Sequence, residues 1–235
     1  MWYLTEYILD QRPHGYLGGI VWGTQRGIGK SSYVLHVAHQ LFMNDGYSDE
    51  EAWELALDSC VFLIQDLIEK IQEYDWRNRA KIIIWDDAGF HGSGMLYNLN
   101  QADAMLLKGI ADTIRTSTEC FLLTTPSIDD LIGFLKHYGD YEVKVSMNHD
   151  WQRCAHIVKP TKSVWGRKRY QDYGIDEFSA YLPIAVYTKY MNKRDRYRTE
   201  VIKEIEEWKL RHERKQKGES TGVTSKSIPQ SGLTL

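Results

Sequence analysis

Cysteine is scarce in this chain, and its placement excludes several classes of protein. The 235 residues include only Cys60, Cys120 and Cys154, with no Cys-x-x-Cys pair. Such a set provides neither a disulfide framework nor a zinc site. Long apolar runs are also missing, since none approaches the ~20 residues of a membrane-spanning helix. The N terminus shows no basic segment followed by an apolar core, so we expect no secretory signal and a cytoplasmic location without membrane association.

Neither sign of charge dominates the whole chain, but basic residues are concentrated near the C terminus. The formal net charge is −3, whereas residues 189–217 alone contain 11 Lys or Arg and six Asp or Glu. A basic segment on an acidic body indicates an anionic partner, with nucleic acid as the first expectation. The alternative is the solvated face of a mixed-charge helix. The residues of this segment considered for DNA contact are Lys193, Arg194, Arg196 and Arg198.

The most specific pattern is an apolar run, a Gly-rich turn and a helical pattern between residues 19 and 42. The turn ends in Gly29-Lys30-Ser31. Glycines let successive backbone N–H groups point inward at phosphates, and the helix that begins near Lys30 adds its positive N-terminal dipole. Lys30 is expected to reach the β- and γ-phosphates, and the Ser31 hydroxyl to bind Mg²⁺. The predicted nucleotide-binding residues are Gly23, Thr24, Gln25, Arg26, Gly27, Ile28, Gly29, Lys30, Ser31 and Ser32.

One position departs from the phosphate-loop pattern G-x-x-x-x-G-K-[ST]. Counting back from Gly29 places Thr24 where the first glycine belongs, and Gly23 lies one residue earlier. The alternative interpretation is a Gly-rich turn that precedes an amphipathic helix and binds no nucleotide.

A second pattern, residues 81–89, is an apolar run that ends in two carboxylates. A continuous apolar run predicts a strand buried on both faces, and hence a parallel sheet. Asp86 and Asp87 follow it, at the strand end where open α/β sheets bind ligands. The pattern resembles a Walker B motif, which implies that Asp86 holds Mg²⁺ and that Asp87 orients or deprotonates the attacking water. The alternative is a pair of solvated turn aspartates.

The sequence predicts further strands and helices between and after these motifs. Residues 119–127 form another short apolar strand, which ends in the hydroxyls of Thr124 and Thr125. Ser48 and Glu51 have the spacing of a capping box. Periodicity predicts helices over 101–116 and 128–138 and a strand over 141–147. Residues 59–71 are ambiguous, because a strand near 59–64 competes with a helical stripe over 61–71.

This succession of motifs resembles the core of AAA+ ATPases from residue 19 to about 147. The resemblance implies an α/β P-loop NTPase fold, a three-layer sandwich with a central parallel sheet. It also implies that Thr124 or Thr125 acts as sensor 1, which contacts the γ-phosphate or the water. AAA+ proteins commonly receive an arginine from the next subunit of a homo-oligomer, and Arg115, Lys136 and Arg153 are the candidates here for a basic residue in that role.

Within that superfamily, the Asp86-Asp87 pair with Thr124-Thr125 resembles the DnaA and DnaC-like branch, including small ATPases of archaeal viruses and plasmids. That branch contains replication initiators and helicase loaders. Many related proteins have Glu at the position of Asp87, which is one methylene shorter.

The organisation changes after residue 150. Residues 153–160 and 167–172 are expected to pair as a hairpin across Trp165-Gly166, and a long helix is predicted from Ile184 to about Lys215. We therefore expect an ATPase core at 1–150, a basic hairpin and helix at 151–217, and a disordered tail at 218–235. The hairpin either binds nucleic acid or packs on the core. Its basic and aromatic residues are Lys159, Lys162, Trp165, Arg167, Lys168, Arg169 and Tyr170.

Together these patterns predict a Mg²⁺-dependent ATP hydrolase that acts on DNA or a DNA-bound assembly. Replication initiation or helicase loading for a virus or plasmid is the first expectation, with a helicase as a possible protein partner. A DNA-translocating motor and an ATP-gated adaptor with slow turnover are the alternatives. Because adenine pockets have no short sequence signature, the sequence does not distinguish ATP from GTP as the nucleotide.

Overall fold

A seven-stranded sheet forms the centre of the structure. The computed structural model describes residues 1–89, 101–131, 133–137, 140–162 and 168–216. The strands are β1 Leu17–Trp22, β2 Cys60–Val61, β3 Ile83–Trp85, β4 Cys120–Thr125, β5 Tyr141–Met147, β6 Arg153–Lys162 and β7 Lys168–Phe178. Within this part of the chain, their order across the sheet is β2-β3-β4-β1-β5-β6-β7.

The first five strands are parallel and carry the predicted motifs. β1 lies between β4 and β5, so that Gly19 is paired with Leu122 on one side and with Tyr141 on the other. β4 also pairs with β3. All six residues of β4 and all three of β3 are buried. These strands confirm the predicted α/β fold class with a central parallel sheet.

The last two strands are antiparallel and extend the same sheet. β5 pairs with β6 in a register that places Val143 opposite Ile157. β6 and β7 form the predicted hairpin, with an irregularity between Ile157 and Val158. Both strands are longer than expected, and the predicted turn at Trp165-Gly166 lies outside the described residues.

Helices cover both faces of the parallel part of the sheet. They are α1 Tyr3–Gln11, α2 Lys30–Asn44, α3 Asp49–Asp58, α4 Ile64–Gln72, α5 Gln101–Thr113, α6 Gly133–His137 and α7 Ile184–Gln216. α2 packs on β1 and β4. A cluster that includes Leu67, Ala111 and Leu135 packs with Ile20 and Trp85 of the sheet. This arrangement is the predicted three-layer sandwich.

Several local predictions are confirmed, and one is corrected. The capping box of Ser48 and Glu51 opens α3 with both reciprocal hydrogen bonds. The ambiguous stretch 59–71 contains both predicted elements, a short strand followed by a helix. The single helix predicted over 128–138 is wrong, because a 3₁₀ turn at Ile128–Asp130 is followed by an extended Leu131. Burial of the Leu131 side chain, only 2% exposed, accompanies this break.

Contact density divides the chain into two compact units. The first, Met1–Arg194, contains the sheet, α1–α6 and the start of α7, and the second is Asp195–Leu235. The domain limits predicted near residues 150 and 217 stay predictions. The flexible loop expected at 91–94 and the disordered tail expected from Gly218 lie outside the described residues. Among the described helices, none is long and apolar enough to cross a membrane.

Candidate nucleotide site

The Gly-rich loop connects β1 to α2, as the sequence predicts. Gly27 and Gly29 have positive φ angles of 71° and 106°, and Gly29 is the N-cap of α2. Only glycine adopts this left-handed conformation without steric cost. Ile28 is buried between them and fixes the loop to the core, whereas Thr24, Gln25 and Arg26 are exposed.

The structure gives a steric reason for the displaced first glycine. Gly23 is buried, and a Cβ atom there would lie 2.6 Å from the backbone oxygen of Val145 in β5. The neighbouring Thr24 is exposed and meets no such limit. The close approach that requires a glycine therefore occurs at residue 23 in this chain, one position before the pattern expects it.

The end of the loop is supported by the antiparallel part of the sheet. Arg153 donates from Nε to the carbonyl oxygen of Ile28 at 3.1 Å. A Cβ atom on Gly29 would meet Phe178 at 3.1 Å, Arg153 at 3.2 Å and Ala180 at 3.3 Å. Arg153, the first residue of β6, and Phe178, the last of β7, are paired with each other and form one wall of the loop together with Ala180.

Lys30 lies at the start of α2 and folds back over the loop. Its ammonium group donates to the carbonyl oxygen of Gly23 at 3.0 Å. Burial lowers the pKa of Lys30, while the negative charges of Asp87 and Asp86 act in the opposite direction. Ser31 and Ser32 follow in the same first turn and are partly exposed.

Asp86 is fully buried at the end of β3 and accepts three hydroxyl hydrogen bonds. Its Oδ1 accepts from Ser31 Oγ at 3.0 Å and from Thr124 Oγ1 at 2.5 Å. Its Oδ2 accepts from the hydroxyl of Tyr190 at 2.7 Å. This set of carboxylate and hydroxyl oxygens fits the ligand preference of Mg²⁺.

Asp87 is oriented differently from its neighbour, because its backbone has a positive φ of 52°. Its amide donates to Thr124 Oγ1 at 2.9 Å, and its Oδ2 accepts from Arg194 Nη2 at 3.0 Å. Burial, followed by the adjacent charge of Asp86, raises the pKa of Asp87, and the charges of Arg194 and Lys30 oppose that rise. A carboxylate with a raised pKa is a better proton acceptor.

The two threonines at the end of β4 have different surroundings. The Thr124 hydroxyl accepts from the Asp87 amide and donates to Asp86, so it links the two carboxylates. The Thr125 hydroxyl donates instead to the backbone oxygen of Ser127 at 2.9 Å. Of the two predicted candidates, only Thr124 contacts the carboxylate pair.

The sequence reasoning missed Tyr190 and misplaced the contacts of two basic residues. Tyr190 is buried at 4% exposure, and burial with the Asp86 charge raises its pKa. Arg194 binds Asp87, and the Lys193 ammonium donates to the backbone oxygens of Leu57 and Cys60 at 2.6 and 3.4 Å. Helical spacing places these three residues on neighbouring positions of α7, but spacing does not reveal what they face.

The three candidates for a basic residue that would reach the nucleotide site of the next subunit lie in different places. Arg115 is exposed in the 3₁₀ turn after α5. The Lys136 ammonium donates to the backbone oxygen of Asp129 at 2.9 Å. Arg153 contacts the phosphate loop of its own chain, as described above.

Comparisons with known proteins found relatives encoded by viruses. No family model matches the chain. It is 27% identical over 216 residues to the uncharacterized protein B-251 of Sulfolobus spindle-shape virus 1, which covers 88% of this chain and 85% of that protein. It is 26% identical over 162 residues to the uncharacterized protein ORF286 of Acidianus two-tailed virus, covering 67% of this chain and 53% of that protein. The chain thus spans about half the length of the second relative.

Among solved structures, the N-terminal domain of zonular occludens toxin from Neisseria meningitidis is similar. The TM-score is 0.41 with 14% sequence identity, and the match covers 74% of this chain and 98% of that domain.

Proposed function

We propose that this chain is a P-loop nucleoside triphosphatase that binds ATP with Mg²⁺ and hydrolyses it. One observation carries the proposal. Hydrogen bonds connect Ser31 in the first turn of α2, the carboxylate pair after β3 and Thr124 of β4 at the carboxyl ends of the parallel strands. Lys30 precedes Ser31 and donates to the carbonyl oxygen of Gly23 in the same loop. Parallel α/β sheets bind their ligands at this edge.

Each group has a role that follows from its position. The loop amides and the N terminus of α2 suit the phosphates, and Lys30 is placed to bind the γ-phosphate. Ser31 and Asp86 would hold Mg²⁺, which neutralises charge on the phosphate oxygens when it is bound.

Asp87 is the proposed acceptor of the proton from the attacking water. Its raised pKa and its partly exposed carboxylate support this role. Thr124 would position it through the hydrogen bond to its amide. Water then attacks the γ-phosphate in line with the leaving ADP.

The test is nucleotide binding and hydrolysis by the wild-type chain and by Lys30→Ala. The variant should lose binding or turnover while its fold is kept, because the half-buried Lys30 side chain donates to the carbonyl oxygen of Gly23 within the same loop. Lys108→Ala, in α5, removes an exposed lysine far along the chain and should behave as wild type. Undiminished ATP hydrolysis by Lys30→Ala would contradict the proposal.

We further propose that the enzyme acts on DNA or a DNA-bound assembly, in replication initiation or helicase loading. The support is chemical: Arg169 and Tyr170 are both exposed in β7, Tyr170 by 54%, and Lys159 is a half-buried cation in β6. Cations and an exposed aromatic ring in one hairpin suit phosphates and stacked bases. A homo-oligomer and a helicase partner belong to the same proposal.

A translocating motor and an ATP-gated adaptor are the competing functions, and one experiment separates all three. ATPase rate and oligomer size are measured with and without single- and double-stranded DNA. A loader or initiator should be stimulated by DNA without dependence on DNA length, whereas a motor should show a length-dependent rate. No stimulation by either DNA would favour the adaptor.

A further inference from the structure

Two side chains of α7 contact the two carboxylates at the end of β3. Tyr190 donates to Asp86 at 2.7 Å, and Arg194, one helical turn later, donates to Asp87 at 3.0 Å. We propose that Arg194 serves the γ-phosphate in cis: it pairs with Asp87 when no triphosphate is bound and transfers to the γ-phosphate when ATP binds. This inference rests on the proposed ATPase function and concerns the same site.

The hydrogen bonds around Asp87 place the guanidinium at the proposed phosphate site. Arg194 donates to Asp87, and the amide of Asp87 donates to Thr124, whose hydroxyl donates to Asp86. Asp86 also accepts from Ser31, which follows Lys30 in the first turn of α2. A γ-phosphate brings more negative charge than one aspartate, so it competes well for the guanidinium.

The chemistry of the guanidinium explains why the transfer matters. While Arg194 donates to Oδ2 of Asp87, it occupies an oxygen that the proposed base needs for the attacking water. Transfer of Arg194 to the γ-phosphate frees that oxygen and places a planar bidentate donor on the developing negative charge.

The start of α7 is fixed, but the side chain of Arg194 has freedom to move. Tyr190 is held on Asp86, and the Lys193 ammonium donates to the backbone oxygens of Leu57 and Cys60. The Arg194 side chain itself is 47% exposed. The helix thus brings the guanidinium to the site without burying it.

The discriminating measurement is the affinity for Mg²⁺–ADP and for a non-hydrolysable Mg²⁺–ATP analogue, by calorimetry. Arg194→Ala should lower the ratio of the affinity for the triphosphate analogue to the affinity for ADP by at least about tenfold, while keeping the affinity for ADP itself. Its kcat should fall by about 10³-fold, in the range seen for catalytic arginines. Arg194→Lys should recover part of this preference, because lysine keeps the positive charge but lacks the planar pair of donors of the guanidinium.

Lys189→Ala is the matched control, because it removes a cation from the same helix and the same unit but contacts Glu54 rather than the carboxylate pair. It should keep both the preference and kcat. A rise in turnover of Arg194→Ala would overturn the inference, since Arg194 would then only restrain Asp87. An unchanged triphosphate preference would overturn it as well. Absence of nucleotide binding by the wild type would instead refute the proposed function, and this inference with it.

Mixing two inactive variants separates action in cis from action in trans. Arg194→Ala keeps Asp87, and Asp87→Asn keeps Arg194. If Arg194 acts within its own chain, the mixture stays inactive. Recovery of ATPase activity on mixing would show that the arginine is supplied by a neighbouring subunit and would overturn the inference.

Discussion

Two adjacent aspartates have different environments in this site. Asp86 is fully buried, and three hydroxyl groups satisfy its two carboxylate oxygens. Asp87 leaves the strand through a left-handed backbone and keeps 26% of its side chain exposed. A buried carboxylate fixed by hydroxyls suits a metal, whereas a partly exposed one can exchange partners. The difference in exposure between the two carboxylates accompanies the left-handed backbone of Asp87.

Substitution of each aspartate should therefore have a different effect. Asp86→Ala should weaken Mg²⁺-dependent nucleotide binding. Asp87→Asn should keep ATP bound but slow hydrolysis by about 10²-fold or more if Asp87 is the base. Binding is measured by calorimetry with and without Mg²⁺, and turnover by phosphate release. If Asp87→Asn hydrolyses ATP at the normal rate, Thr124 becomes the better candidate for positioning the water.

Alanine substitutions at two glycines of the Gly-rich loop, Gly23 and Gly27, test the steric account of residue 23. In Gly23→Ala, the new methyl group would lie 2.6 Å from the Val145 carbonyl oxygen, whereas a methyl group on Gly27 would meet no described residue beyond its two chain neighbours within 4 Å. Displacing backbone in a packed region costs about 1–3 kcal/mol, and a left-handed alanine about 1–2 kcal/mol. Gly23→Ala should thus disrupt the loop and nucleotide affinity, and Gly27→Ala should lower mainly thermal stability. Equal loss of affinity in both variants would contradict the steric account of residue 23.

At the scale of elements, one buried carboxylate joins α1, α2 and β7. Asp176 is 3% exposed and accepts from the Tyr3 amide at 2.7 Å, the Leu4 amide at 3.4 Å and the Tyr33 hydroxyl at 2.6 Å. It thus binds the positive N terminus of α1, where a negative charge is favourable. Burial, followed by the charge of Asp176, raises the pKa of Tyr33 well above its usual value.

Removal of this carboxylate should destabilise the first unit. Asp176→Ala leaves buried donors without an acceptor and should lower the free energy of unfolding by about 3 kcal/mol. Asp176→Asn keeps one acceptor oxygen and should cost less. Glu177→Ala, at an exposed neighbouring position, is the control and should change stability little. Urea unfolding provides the comparison, and equal stability of the alanine variants at 176 and 177 would show that α1 is anchored in another way.

The elements that were predicted differ physically from those that were missed. β1, β3 and β4 could be predicted because each is an apolar run that ends in residues with recognisable chemistry. α1 has Trp2 at its N-cap and no side-chain cap, so nothing local marks its start. Its anchor is Asp176, which lies far along the chain.

The residues of the candidate site also separate into those that the sequence predicts and those that it misses. The phosphate loop and the carboxylate pair could be predicted because their residues are contiguous in sequence. Tyr190 lies 104 residues from Asp86, and Arg194 lies 107 residues from Asp87. Periodicity indicates the length of α7, but only tertiary packing decides which face meets the carboxylates.

At the scale of the whole molecule, the distribution of charge predicts where DNA binds. Replacing Arg167, Lys168 and Arg169 together by alanine should lower DNA affinity, flatten its salt dependence and leave basal ATPase activity intact, because each phosphate contact releases counterions. Arg167 lies outside the described residues, whereas Arg169 is exposed in β7. Fluorescence anisotropy with labelled DNA over a salt series gives both quantities.

A variant that removes the same charge elsewhere controls for net charge. Replacing Arg77, Lys81 and Lys108 by alanine should change DNA affinity much less than the β7 triple variant. Equal affinity of the β7 triple variant and the wild type would favour a hairpin that only packs on the core, and would strengthen the adaptor alternative.

The position of β1 in the sheet sets the order in which the site is completed during synthesis. β1 is translated before its two neighbours, β4 and β5, and before Phe178 and Ala180 of the wall beside Gly29. Synthesis from the N terminus therefore leaves β1 without a strand partner until β4, Cys120–Thr125, has been made. Unpaired strand edges invite association with other chains, so the nascent chain is open to such association until β4 is added. The Gly-rich loop is translated before the residues that form its wall, so it takes its final shape only after β7 has been made.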